Sequence, residues 1–574
     1  MPDNRGQETL VTPARGASVV SAVQWSIDAC RHPISRLQRE IARADRYDLA
    51  AALVFAALLA LVGFTFIDYA ISNDEEVQQH YGELIVAYYL SGLTDQALFH
   101  FRNLYLYGGL FDIIAVGLEK LIPLDPYAVR HLFSALTGVG SIAAVWATAR
   151  AIGGSRAGLL AAVALAVCGT WYGAMFNHTK DIPFAAAMMG ALYLLVLIGR
   201  ELPRPRWRLV MTFGVLCGCA LGIRVLGLFL LTSVGLVLVL HAPMGRGFVW
   251  RQMLVFAARS TLALLPAFVI AYAIMVAAWP YAALAPLNPL RAMTTFVDFN
   301  YPVRTILAGH VYYMADVPRW YVPTYVAIKL TLWLLFGAAL AIVFASLPRR
   351  FARSTDSLWR KETAVIAFGA FLPPICEAIV DGPAFSGMRH FLFIVPPIAV
   401  LAGLGLSGLL LRLESFSRLA VAGAVAFVAL GLSWNATTLY RLHPDEYLFY
   451  NPLVGGLAGA SRSYDTDYWV NTMPEAMADL KHFIDRVERT SGKKKRRYLV
   501  AACSERLQFE KEADARLEWT RDFRRADFFV APTHMNCDRT LNGRVIATVE
   551  RLDVVIGVVK DRRAVVERSV AGLN

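Results

Sequence analysis

Residues 49–76 read LAAALVFAALLALVGFTFIDYAISNDEE, and this stretch decides the fold. From Leu49 to Ile71 it is apolar and long enough to cross a bilayer, for which about 20 residues suffice. Ser72-Asn73 ends the run, and Asp74, Glu75 and Glu76 follow at once. Carboxylates held at a membrane–water boundary beside an apolar bundle are costly, so they point to a task.

The rest of the chain repeats the apolar half of that pattern. The 574 residues are 57% hydrophobic and only 17% charged, with a mean hydropathy of +0.47; a soluble domain carries about 25% charged residues. Apolar segments recur at about 47–71, 130–150, 157–177, 184–200, 208–223, 225–241, 255–279, 322–346, 363–381, 390–411 and 418–438. The expectation is a mainly α, polytopic helical bundle of roughly eleven spans. Tyr107 to Ile122 carries Asp112, Glu119 and Lys120, and reads either as a span or as a helix lying partly in the interface.

The net charge of +12 sits mostly in short segments between apolar runs. That is the signature of cytoplasmic loops rather than of nucleic-acid binding. The positive-inside rule places residues 1–46, Arg150–Arg156, Arg200–Arg208, Arg246–Arg251, Arg349–Lys361 and Arg412–Arg418 on the cytoplasmic side. The segments 72–106, 178–183, the vicinity of Arg224, 280–321, 381–389 and everything after about Leu439 then face the other way. The domain expectation follows. Residues 1–46 form a polar, arginine-bearing cytoplasmic tail rather than a signal peptide. Residues 47–439 form the membrane domain, with outer loops 72–106 and 280–321, and residues 440–574 form a small periplasmic α/β domain. In the last of these, Pro474–Thr490 reads as an amphipathic helix, and Arg497–Ala502, Asp527–Ala531 and Val545–Val559 as strands. Seven cysteines show no metal-ligand spacing. Cys217 and Cys219 read as packing residues within a span, and Cys503 and Cys537 can pair if the tail faces an oxidising compartment.

The outer face gathers the residues able to do chemistry: Asp74, Glu75, Glu83 and Arg102; His178, Lys180 and Asp181; Arg224; Trp320 and Tyr321; Arg389 and His390. A lipid-linked phosphate needs Lys or Arg to hold its charge and neutralise it as a leaving group. An incoming hydroxyl needs a carboxylate to take its proton. Each residue also has a plainer reading. Asp74 can cap the helix that follows, and Lys180-Asp181 another whose first turn holds Pro183. Arg224 can snorkel to the interface, and Trp320 and Tyr321 can belong to an aromatic belt. Asp467-Tyr468-Trp469 reads as packing of the tail against the bundle.

Taken in order, these motifs resemble the C-type glycosyltransferases, specifically the protein O-mannosyltransferase and aminoarabinose lipid A transferase group. In that group an Asp-Glu pair follows the first span, as Asp74-Glu75 does here. A second acidic position lies in the next outer loop, matched by Lys180-Asp181 within HTKDIPF at 178–184. A late arginine precedes a proline-bearing span, matched by Arg389-His390 ahead of Pro396-Pro397. VPRWYVP at 317–323 and the run from His443-Pro444 to Gly455-Gly456 are similar to junctions in bacterial relatives. The basic-Pro-Pro element expected after the first loop is absent, and Arg102-Asn103-Leu104-Tyr105 stands in its place; Glu76 is a second departure.

The resemblance implies an inverting transfer of a sugar from a polyprenyl-phosphate-linked donor to an acceptor hydroxyl, at the periplasmic side of a bacterial inner membrane. Asp74 would be the general base, with Glu75 in support. Lys180, Arg224, Arg389, His390 and Arg102 would hold the donor phosphate. Asp181, Glu83, Trp320 and Tyr321 would line the substrate, and a divalent cation is an optional cofactor with Asp181 and His178 as its candidate ligands. Lipid, protein and polysaccharide acceptors all fit, lipid A among them. The alternatives are a flippase or other transporter of a lipid-linked glycan, and a glycan polymerase or ligase. Against a transporter, the charges cluster on one face instead of lining the midplane, and no inverted repeat stands out.

Overall fold

Asp45 starts the first membrane helix: its carboxylate accepts the backbone N–H groups of Tyr47 and Asp48 at 2.9 and 3.0 Å, satisfying donors that a helix start leaves open. The computed structural model describes residues 45–177, 180–243, 250–297, 302–347, 357–380, 382–491 and 497–570. Residues 1–44 of the expected tail and His178 lie outside them.

Among the described residues, seven helices are long and apolar enough to span a membrane: Arg46–Thr65, Pro126–Gly153, Asp181–Glu201, Trp250–Ala278, Ser357–Val380, Arg389–Glu414 and Arg418–Leu442. Two further pairs are bent, Ser155–Ala166 with Gly169–Asn177 by 68° and Tyr321–Lys329 with Leu332–Ser346 by 111°. Trp207–Leu221 and Val225–His241 are shorter apolar helices. Every apolar segment expected from the sequence therefore falls on a helix or a helix pair, and the protein is a multi-pass membrane protein. The ambiguous stretch after Tyr107 forms a helix over Leu110–Glu119 only, 10 residues. At 1.5 Å per residue it is about 15 Å long, half of the ~30 Å hydrocarbon core.

Asp181–Glu201 and Arg389–Glu414 are the most enclosed of the spans. Without a hydrophobic drive between helices in lipid, association relies on close packing of small residues. The sequence supplies them at Gly403 and Gly405. A Cβ on Gly403 would run into Ala157 and Ala161, and one on Gly405 into the Gly337 carbonyl, so these backbones touch. Arg46–Thr65 and Arg418–Leu442 instead present large apolar side chains outward, Phe64 at 81% and Trp434 at 72% exposure, as lipid-facing helices do.

The loop before Tyr321 carries a hairpin of β1 (Arg304–Leu307) and β2 (His310–Tyr313). It turns at Ala308-Gly309, both in left-handed backbone. The C-terminal part is a sheet of β3 (Tyr498–Ala502), β4 (Leu517–Trp519), β5 (Phe528–Pro532), β6 (Arg544–Arg551) and β7 (Val554–Asp561), in the order β4-β3-β5-β7-β6. β3 runs parallel to β4 and β5, while β7 is antiparallel to β5 and β6. Leu552-Asp553, both at positive φ, make the tight turn between β6 and β7, the geometry that matches strand twist. Met473–Ser491 and Arg506–Glu512 are helical. Cys503 and Cys537 form a disulfide. The short strand β4 and the helix Arg506–Glu512 were not expected from the sequence.

Gly405→Val is expected to destabilise the protein by about 1–3 kcal/mol, the usual cost of overpacking. Gly423→Val meets no atom within 4 Å and is the control. Thermal unfolding of the two variants in detergent checks this.

Candidate active site

Asp74 occupies the N-cap position of the helix Glu75–Leu90, yet its side chain makes no capping hydrogen bond. Its carboxylate instead accepts from Arg389 Nη2. A side chain that gives up a cap for a partner 315 residues away is held by tertiary structure, not by local helix chemistry. Lys180 likewise precedes the helix Asp181–Glu201 without a side-chain cap bond.

The pair extends into a chain of alternating charge. Arg389 Nε donates to Asp181 Oδ2 at 3.1 Å, and Asp181 Oδ1 accepts from Arg224 Nη2. The order is Arg224–Asp181–Arg389–Asp74, contributed by four separate segments. Asp181, Arg224 and Arg389 are buried, where charges persist only when paired. Aromatic faces complete the setting: Arg389 lies 4.4 Å from the Trp469 ring centroid and 5.4 Å from that of Tyr468. Tyr107 sits beneath both Lys180 (3.9 Å) and Arg224 (5.9 Å). Such contacts stabilise desolvated cations.

These groups open onto a cavity of about 430 Å³. Arg102, Lys180, Arg224 and Arg389 line it against two lining carboxylates, Asp74 and Glu505. Its walls also include Gln78, Tyr107, His390, Tyr468 and, from the C-terminal sheet region, Cys503 and Ser504. Asp74 is about a third exposed, at 34%. Arg224 Nε is buried with no hydrogen-bond partner among the described residues, a donor suited to an anionic oxygen. Burial opposes ionisation of the Asp74 carboxyl, but Arg389 and Lys180 outweigh it and hold it below the usual carboxylate range. Burial, with help from Arg224, pushes the Lys180 ammonium down to about 8, although Asp74 and Asp112 resist.

The structure thus brings together Asp74, Lys180, Arg224, Arg389, His390 and Arg102 at the cavity, with Asp181 as the link behind them. It does not bring Glu75 there. Glu75 is fully buried, accepts from the Ser72 N–H at 2.6 Å and pairs with His131 Nε2 at 3.0 Å. Glu83 accepts from Gln79, which also bonds Glu119 and Arg130, away from the cavity. Trp320 is 62% exposed. Tyr321 is buried, its hydroxyl shared with Thr305, Asp465 and the Gly387 N–H. Sequence reasoning missed Tyr107, Gln78 and the C-terminal wall at Cys503–Glu505, and it assigned Tyr468 to packing.

Of the candidate metal ligands, His178 lies outside the described residues. Both Asp181 oxygens accept from guanidinium groups, and no group of three His, Cys, Asp or Glu side chains converges among the described residues.

Residues 125–273 match the sequence model of the family described as Dolichyl-phosphate-mannose-protein mannosyltransferase. The matched stretch contains Lys180, Asp181 and Arg224. This stretch of the chain is similar to that family, and the rest of the chain lies outside the match. Of the motifs that carry the resemblance, Lys180-Asp181 lies inside the matched stretch, and Asp74-Glu75 and Arg389-His390 lie outside it. Among solved structures, the chain is similar to ArnT from Cupriavidus metallidurans bound to undecaprenyl phosphate, at 15% identity and a TM-score of 0.47, covering 90% of this chain and 99% of that one. It is also similar to the Archaeoglobus fulgidus oligosaccharyltransferase in the apo form, at 13% identity and a TM-score of 0.43, covering 81% of this chain and 64% of that one. No curated protein matches.

The charge states predict a pH profile for catalysis at this site. Asp74, stabilised as the anion in the free protein, is expected to sustain kcat/KM until the pH falls below the ordinary carboxyl value of about 3.9. Activity is expected to decline as the pH rises through about 8, where Lys180 loses its proton. Lys180→Arg removes that titration and should abolish the alkaline decline. Rate measurements across the pH range in wild type and variant check both limbs.

Proposed function

We propose that the protein transfers a sugar from a polyprenyl-phosphate-linked donor to a hydroxyl of a lipid or protein acceptor, with inversion, at the periplasmic face of a bacterial inner membrane. One observation carries the reading: Asp74 forgoes its cap and stands, part-exposed and ionised, in a cavity dominated by cations.

The geometry suggests the order of events. The donor phosphate enters among Lys180, Arg224, Arg389 and Arg102, with the polyprenyl tail left in lipid and His390 at the rim. In binding, it competes with Asp74 for Arg389. Asp74 then loses the partner that holds its pKa low, becomes more basic, and accepts the proton of the acceptor hydroxyl. The acceptor oxygen attacks the anomeric carbon as the carbon–oxygen bond to the phosphate breaks. The negative charge that develops on the leaving phosphate meets fixed cations that need no reorganisation. A single displacement of this kind needs one base and no protein nucleophile, and it inverts the anomeric centre. Before donor binding, the Asp74–Arg389 pair keeps the base quiet.

The placement of the site is supported in two ways. Loops rich in Lys and Arg alternate with the segments that build the cavity, as the positive-inside rule requires. The Cys503–Cys537 disulfide, one half of which lines the cavity, belongs to an oxidising compartment. On this arrangement, residues 1–46 form the cytoplasmic tail and residues 440–574 the periplasmic domain. Glu75 supports Asp74 from behind, through His131 and the Ser72 backbone.

Asp74→Asn keeps the size of the side chain and removes the base. Transfer from a panel of radiolabelled polyprenyl-phosphate sugars into membrane acceptors should fall by about 10²- to 10⁴-fold. Unchanged transfer by the variant would sink the assignment. Movement of the labelled lipid across the bilayer without transfer would favour a flippase instead.

A further inference from the structure

The C-terminal sheet region meets the catalytic pair at one buried side chain. Gln508 lies in the helix Arg506–Glu512 and is 3% exposed. Its Nε2 donates to the Ile71 carbonyl at 2.6 Å and to the Trp469 carbonyl at 2.8 Å. Its Oε1 accepts the Glu505 N–H at 3.0 Å, while the Glu505 side chain caps the same helix. Both donors and the acceptor of the amide are therefore engaged.

The two carbonyls are not arbitrary. Ile71 stands three residues before Asp74, at the end of the first membrane segment. Trp469 lays its ring on Arg389. One amide group thus ties the backbone that carries the base to the backbone that shelters the base's cationic partner. Neighbouring bonds run in the same direction: Ala70 N–H donates to Asn471 Oδ1 at 2.6 Å, and Asn73 Nδ2 donates to the Tyr468 carbonyl at 2.6 Å. Gln508 differs from these because it comes from the sheet region itself. Its own helix begins at Glu505, in the wall of the cavity.

We infer that Gln508 is a positioning residue for the transfer reaction, fixing Asp74 relative to Arg389 and making the C-terminal region part of the catalytic apparatus. The inference rests on the proposed role of Asp74 as base. The groups that face Asp74 electrostatically are Arg389, Lys180, Asp181, His390, Tyr468 and Tyr107, and none is altered by a change at position 508.

Gln508→Leu and Gln508→Met each remove all three groups without adding a charge, Met at similar volume. Both are made in the full-length protein in lipid nanodiscs and assayed for transfer from the radiolabelled polyprenyl-phosphate sugar. The expected result is a kcat lower by about 10-fold or more, since small misplacements of a catalytic group are costly. Donor KM should stay within about 2-fold, because the phosphate-binding cations remain. The acid limb of the kcat/KM profile, which reports the free enzyme, should move upward as the Asp74–Arg389 pair loosens. Thermal unfolding and alkylation of free thiols report whether the fold and the Cys503–Cys537 bond persist. Wild-type kcat with an unmoved acid limb in either variant overturns the inference. So does failure of both variants to fold, which makes Gln508 a folding residue. Asp74→Asn in the same assay separates the cases: if it retains transfer, the proposed chemistry fails, whatever position 508 does.

Discussion

Asp181 holds two guanidinium groups at once, and the site is arranged around that fact. A buried carboxylate between Arg224 and Arg389 compensates both, and Arg389 has a remaining arm for Asp74. Removing Asp181 leaves two buried guanidinium groups facing each other without the carboxylate between them, which costs several kcal/mol. Four segments far apart in the chain must therefore end at one place: the loop after the first span, the starts of Asp181–Glu201 and Arg389–Glu414, and the turn at Arg224. Those two helices are also the most enclosed in the bundle. Small residues such as Gly403 and Gly405 let neighbouring backbones close on the Arg389–Glu414 helix, so close packing helps to fix where Arg389 stands.

Much of this was legible in the sequence because its signals are one-dimensional. Length and apolarity mark each span, and the distribution of Lys and Arg sorts the loops by side. With the loops sorted, Asp74, Lys180, Asp181, Arg224 and Arg389 fall on one face, and their convergence becomes an expectation instead of a coincidence. The same reasoning could not distinguish Asp74 from Glu75 by direction. Adjacent residues at a helix start point to different sides, and only the fold reveals that one turns to the cavity and the other to His131.

The C-terminal wall was illegible for a different reason. Cys503, Ser504 and Glu505 are ordinary loop and cap residues, with no charge cluster to single them out. Glu505 and Gln508 do have the spacing of reciprocal capping, which could have located the helix, but nothing local says that Gln508 reaches Ile71. Tyr468 and Trp469 were read as packing, and they do pack. What they pack against is the Arg389 guanidinium.

The contact between Gln508 and Ile71 spans 437 residues, and this separation has a bearing on biogenesis. Asp74 and Lys180 are made hundreds of residues before the wall opposite them at Cys503–Glu505. A nascent chain inserting its helices one after another carries an open, unfinished cleft. The cleft closes only when the region around Gln508 has folded and docked against the segment that carries Ile71 and Asp74.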